Sequence, residues 1–139
     1  MIYTSHSPSE TEELGAKTVS RMNKKKLIGM HGDLGAGKTV FIKGIAKALG
    51  YTGDVTSPTF ALVNEYLVNR KPVLIHFDLY RTDSDGLEDL GWYDYLGSDC
   101  IVVAEWAENA PDEFADAVNV TITGSGDDVR SIEITGLEE

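Results

Sequence analysis

The stretch GDLGAGKT (residues 32–39) follows the apolar run KLIGMH (26–31) and opens onto VFIKGIAKALG (40–50). Gly32, Gly37, Lys38 and Thr39 meet the pattern G-x-x-x-x-G-K-[ST]. Each residue type has a physical task there. Glycines let consecutive backbone N–H groups turn inward around phosphates, and a helix N-terminus adds partial positive charge. Lys38 is placed to reach the β- and γ-phosphates, and the Thr39 hydroxyl to ligate Mg2+. The pattern requires a strand before the loop and a helix after it, and both are legible here, so the loop reads as a nucleotide site. A guanine site brings an N-K-x-D stretch after a strand. The one Asn-Lys pair, Asn23 and Lys24, lacks the Asp and precedes the loop, so ATP is the expected nucleotide.

Working outward, SPSE (7–10) reads as a capping box with Pro8 at the first helical position, starting a helix to about Met22. LIGMH (27–31) has little alternation and is expected as a buried strand. Val40, Phe41, Ile45, Ala48 and Leu49 recur at helical spacing, and Gly50 supplies a stop. SPTFALVNEYLV (57–68) and PVLIHFD (72–78) read as strands joined by a turn around NRKP (69–72). SDGLEDLGWYDYLGS (84–98) reads as one or two short helices, and CIVVAE (100–105) as an apolar strand closed by an acid. VNVTITG (118–124) and RSIEITG (130–136) alternate around SGDD (125–128), a hairpin with one wet face. The expected fold is α/β: one P-loop NTPase-like domain over residues 1–139, a mixed sheet flanked by helices, with antiparallel C-terminal strands.

The chain's 139 residues suffice for a core without staples, and 42% hydrophobic with 25% charged residues is ordinary for a soluble domain. No apolar run reaches the roughly 18 residues of a membrane span. The N-terminus lacks the basic and apolar regions of a secretory signal. Cys100 is the single cysteine and sits in an apolar run, so it reads as a small buried hydrophobe. A cytoplasmic location fits these features. The net charge of −11 is unevenly placed: residues 1–82 carry 11 Lys/Arg against 7 Asp/Glu, whereas residues 83–139 carry Arg130 alone against 16 acids. Holding a nucleic-acid backbone unaided needs clustered Lys and Arg, which argues against it here. The acidic half is a solvated face or a docking surface for a basic partner.

A P-loop ATPase needs a carboxylate at the end of a neighbouring strand to position Mg2+. Asp78 ends PVLIHFD and Glu105 ends CIVVAE. The second run is continuously apolar, as expected of a parallel strand beside the loop's own, and the carboxyl ends of such strands face the ligand crevice. His6, His31 and His76 show no metal-ligand spacing, and His31 and His76 read as packing or hydrogen-bonding residues.

GDLGAGKT, SPTF (57–60), HFDLYR (76–81) and the pair Glu105-Trp106 occur in this order and spacing. Together they resemble the bacterial ATPase of tRNA threonylcarbamoyladenosine biosynthesis, the TsaE family. The likeness runs from TEELG (11–15) to the final hairpin. It implies a P-loop ATPase that binds ATP and Mg2+ and acts with two partner proteins. Those partners install a threonylcarbamoyl group on the adenosine beside the anticodon of ANN-decoding tRNAs. ATP hydrolysis resets the partner complex, and tRNA is met only indirectly. Carried over by position, Leu34, Gly35, Ala36, Gly37, Lys38 and Thr39 wrap the phosphates, while Thr39 and Glu105 hold Mg2+. Asp78 lies near the γ-phosphate, Thr59 senses it, and Trp106, Glu108 and Arg130 approach the nucleotide. Arg81 pairs with a phosphate or with Asp78. The chain departs from the family pattern at EWAE (105–108), where proline often follows the tryptophan, and at KTV (38–40), where a second threonine is usual. Two rival readings stand beside this one. A small-molecule kinase needs several lid arginines, yet residues 82–129 hold none. A nucleotide-gated docking module would tolerate loss of hydrolysis.

Overall fold

The computed structural model describes residues 1–22, 25–32, 37–56, 63–80, 86–87, 90–124 and 128–137. The chain runs β1 (Ile2–Ser5), α1 (Pro8–Ser20), β2 (Leu27–His31), α2 (Lys38–Ala48), β3 (Val63–Val68) and β4 (Lys71–Asp78). It continues through α3 (Trp92–Leu96), β5 (Ile101–Glu105), two short 3-10 turns (Ala107–Asn109 and Pro111–Phe114), β6 (Val118–Gly124) and β7 (Arg130–Thr135). The strands form one sheet in the order β1-β7-β6-β2-β5-β4-β3. Its centre is parallel, with β2 between β5 and β6 and β4 beside β5. Antiparallel pairs close both edges, β3 on β4 and β7 between β6 and β1.

The strands β2, β4 and β5 are largely apolar because both faces are covered. Alternate residues serve opposite cores. Ile28, Met30 and Val103 meet Phe41, Ile42 and Ile45 of α2 on one face. Ile75, Phe77, Val102 and Ala104 meet Trp92 and Phe114 on the other. The carboxyl ends of β2, β4 and β5 therefore open at the same edge, where α2 begins. This places the strand-end acids beside the loop helix.

At the start of α1, the Ser7 side chain accepts the Glu10 N–H at 3.1 Å, and the Glu10 carboxylate accepts the His6 N–H at 2.7 Å. The capping box thus reaches one residue further out than the usual reciprocal pair. The helix stops at Ser20 rather than Met22: the Arg21 N–H is shared between the Lys17 and Thr18 carbonyls, and the Met22 N–H turns to Val19, three residues back. The edge strand β1 was not legible in the sequence. Four residues carry too little pattern, and β1 is defined by pairing with β7 at the far end of the chain. The hairpin of β6 and β7 is present, but β6 also pairs in parallel with β2, so the hairpin extends the central sheet. Within SPTFALVNEYLV only β3 is described, and residues 57–62 lie outside the described set. Cys100 is buried, and its Sγ lies 3.1 Å from the Pro72 carbonyl.

Helices α1 and α2 cross where Gly15 faces the Phe41 carbonyl and Gly44 faces the Glu12 carbonyl, each too close for a Cβ. Lys47 and Glu12 form an ion pair at the same crossing. Replacing a helical glycine by alanine gains about 1 kcal/mol of helix propensity. Here collision with backbone, which cannot rotate away, outweighs that gain at about 1–3 kcal/mol or more. Gly44→Ala is expected to lower Tm by on the order of 5 °C, measured by thermal unfolding. An unchanged or raised Tm would show that the helices can separate at no cost.

Candidate nucleotide and metal site

Gly37 caps α2 with φ 104°, a left-handed conformation that glycine adopts without a Cβ penalty. Lys38 follows as the first helical residue and is 4% exposed. Its Nζ donates to the Gly32 carbonyl at 2.7 Å, closing the two ends of the loop, and lies 4.1 Å from the centroid of the Trp106 ring. An ammonium over an indole face gains the cation–π attraction. Trp106 in turn packs against Tyr80, with centroids 5.0 Å apart. Trp106 has φ 60°, a left-handed conformation unusual for an aromatic residue and one that costs about 1–3 kcal/mol. The turn after β5 therefore aims the indole at the lysine. Thr39 is half-buried one residue along α2.

Asp78 and Glu105 are register partners at the ends of β4 and β5, and Glu105 is also the register partner of Met30 on β2. Both acids are largely buried, at 8% and 5% exposed. Asp78 accepts the Tyr80 N–H at 2.9 Å, an Asx-turn that fixes the chain leaving β4. Glu105 Oε2 lies 2.8 Å from His76 Nε2. Two neighbouring carboxylates, a buried ammonium and a helix N-terminus thus share one edge of the sheet. That arrangement suits a polyphosphate with a hard cation between it and the acids. Among the described residues no three His, Cys, Asp or Glu side chains form a ready-made cage for a metal. Mg2+ characteristically takes one or two carboxylates and completes its shell with phosphate oxygens and water, which matches this donor set.

The outlying residues also converge. Arg130, at the start of β7, brings its Nε to within 3.9 Å of where a Cβ on Gly37 would stand. Glu108 follows the Trp106 turn and sits 3.3 Å from His31 Nδ1, while His31 Nε2 lies 2.8 Å from Asn119 Oδ1. The amide of Asn119 donates to the Phe114 and Ala117 carbonyls, so its oxygen is the atom that faces His31. Leu34, Gly35, Ala36, Thr59 and Arg81 lie outside the described residues.

A family model described as "Threonylcarbamoyl adenosine biosynthesis protein TsaE" matches residues 5–132. This chain belongs to the TsaE family. The tRNA threonylcarbamoyladenosine biosynthesis protein TsaE of Bacillus subtilis (strain 168) is 37% identical over 134 residues, covering 94% of this chain and 82% of that protein. Its counterpart in Haemophilus influenzae is 39% identical over 112 residues, covering 80% and 70%. The one from Streptomyces coelicolor is 34% identical over 135 residues, covering 91% and 90%. Among solved structures, the crystal structure of YdiB from Bacillus subtilis superposes with a TM-score of 0.78 at 31% identity, covering 99% of this chain and 86% of that one. The P-loop fold expected from residues 32–39 is therefore that of a TsaE protein.

What motif reading missed in this TsaE protein is contact. His76 and His31 read as packing or hydrogen-bonding residues, and each proves to meet an acid: His76 Nε2 lies 2.8 Å from Glu105 and His31 Nδ1 3.3 Å from Glu108. The available signal was weak. His76 stands two residues before Asp78 and so shares its sheet face, but nothing local says which strand lies alongside.

Proposed function

We propose that this chain is a P-loop ATPase that supports threonylcarbamoylation of the adenosine beside the anticodon in ANN-decoding tRNAs. It binds and hydrolyses ATP, as a single domain, to cycle a partner transferase complex in the cytoplasm. The observation that carries the reading is the convergence of Lys38, Asp78 and Glu105 at the carboxyl ends of adjacent parallel strands. Family membership supports the pathway. The relatives are named as tRNA threonylcarbamoyladenosine biosynthesis proteins. Among the described residues no helix is long and apolar enough to cross a membrane.

In this reading the residues 34–39 loop surrounds the phosphates, and Lys38 neutralises charge on the β- and γ-oxygens. Thr39 and Glu105 would hold Mg2+, which when bound screens the charge that develops on the phosphate oxygens. Asp78, beside Glu105, orients the attacking water and accepts its proton. Trp106 covers Lys38 and keeps bulk water from the ammonium. Thr59, Glu108 and Arg130 are assigned to the nucleotide in the same scheme.

The charge split supports action through partners. Asp94, Asp99, Asp112 and Asp116 of the acidic half are exposed, and a field of that sign repels an RNA backbone while drawing in a basic protein. The test is multiple-turnover threonylcarbamoylation of a tRNA transcript by the two partner proteins. Adding this chain with ATP should convert a single round into continuing turnover. Its association rate with the partners should fall as salt shortens the Debye length to about 8 Å. Neutralising Glu88, Asp89 and Asp94 should lower that rate and leave ATP affinity nearly intact; the first two lie outside the described residues. Turnover that ignores the chain would sink the proposal, and an association rate indifferent to salt would return the acidic half to a solvated face.

A further inference from the structure

His76 is fully buried on β4, on the sheet face it shares with Asp78 and Glu105. One ring nitrogen, Nε2, is 2.8 Å from Glu105 Oε2, and the other, Nδ1, is 3.3 Å from the Tyr66 hydroxyl. That hydroxyl donates to the Thr56 carbonyl at 3.0 Å, which also accepts the Asn64 side-chain amide at 3.1 Å. A carboxylate only accepts, so the His76 Nε2–H serves Glu105, while the Tyr66 hydroxyl that donates to Thr56 also lies against His76 Nδ1. Burial holds the Tyr66 phenol above its ordinary pKa, so the hydroxyl keeps its proton. An apolar side chain would fill position 76 without needing partners, whereas a buried polar group left unsatisfied costs about 1–3 kcal/mol. The imidazole is therefore better explained by what it holds than by the volume it fills.

We propose that His76 is a positioning residue for Glu105, its Nε2–H fixing one carboxylate oxygen and Tyr66 fixing the imidazole in turn. The inference rests on Glu105 being the acid that holds Mg2+. Ligating carboxylates are commonly oriented by such outer hydrogen bonds, and removing one typically costs 10–100-fold in metal affinity or activity. Without the imidazole, that carboxylate oxygen loses its 2.8 Å donor.

The test is a Mg2+ titration of binding to a fluorescent ADP analogue, with binding in EDTA as the reference. His76→Leu should raise the Mg2+ midpoint by roughly tenfold or more and leave affinity in EDTA almost unchanged. His76→Gln, whose amide N–H falls close to the Nε2 position, should recover most of the loss. Tyr66→Phe keeps the ring and removes only the hydroxyl, and should raise the midpoint by a few-fold. In the unmodified protein, ¹⁵N imidazole shifts should show the His76 proton on Nε2. An unchanged midpoint in folded His76→Leu, or a proton on Nδ1 alone, overturns the proposal. If His76→Leu does not fold, Tyr66→Phe and the imidazole spectrum decide the matter, and an unchanged Tyr66→Phe midpoint counts against it. Binding of the analogue that ignores Mg2+ in the unmodified protein is a different result, and overturns the Mg2+ reading of Glu105 itself.

Discussion

Lys38→Ala is expected to weaken ATP binding by at least about 100-fold while leaving the chain folded. In the proposed reading the ammonium meets the phosphates from the first turn of α2, where the Gly32 carbonyl and the Trp106 ring hold it. A hydrogen bond to a charged group contributes about 1.5–3 kcal/mol, so two of them amount to at least ~3 kcal/mol, about 150-fold in Kd. The same substitution removes the Gly32 partner and the cation–π contact, which together lower stability by on the order of 1–2 kcal/mol. That is smaller than the expected effect on binding and too small to unfold an ordinary domain. Calorimetric or fluorescence titration with an ATP analogue, alongside thermal unfolding, separates the two effects. Undiminished affinity in a folded variant would remove the P-loop assignment.

The two acids should fail in different ways. Glu105→Ala is expected to raise the Mg2+ requirement of ATPase activity by roughly 100-fold, since removing a direct oxygen donor costs at least as much as losing an outer-shell bond. It also leaves the buried His76 Nε2 without its acceptor, so some loss of stability should accompany it. Asp78→Ala should spare most nucleotide binding and slow hydrolysis by on the order of 10²–10⁴-fold, the usual contribution of a general base. Asp78 additionally accepts the Tyr80 N–H. Asp78→Asn is the cleaner substitution because it keeps that turn and removes only the charge. Mg2+ titrations of ATPase rate on both variants decide the assignment. The reverse order of Mg2+ dependence would mean that the roles are exchanged.

Much of the site is legible in the chain because its decisive groups are local. GDLGAGKT carries its own loop, helix start and lysine within eight consecutive residues, and backbone geometry with helix capping decides their arrangement. PVLIHFD and CIVVAE each announce a strand by composition and an acid by position. Carboxyl ends of parallel strands face one crevice, so Glu105 could be assigned to it from its run, and Asp78 stood beside it only as a second strand-end acid until the pairing was known. The capping box of α1 and the alternating final hairpin are local in the same sense.

What the chain could not disclose is every feature made by residues far apart in sequence. The register that sets Asp78 beside Glu105 depends on two strands whose runs alone do not say which lies next to which. The bond from His76 to Glu105 follows from that register and spans 29 residues of chain. The placement of Trp106 over Lys38 depends on a left-handed turn that no residue type at position 106 would announce. Strand β1 exists because the two ends of the chain meet at the edge of the sheet. Periodicity, turn chemistry and phosphate-binding motifs are short-range properties, so the sequence by itself determined the main helices and strands, the lysine that opens α2 and the strand-end acids. Pairing, register and close approach are enforced by burial of the assembled sheet, so tertiary structure alone decided which acid meets the histidine and what covers the lysine.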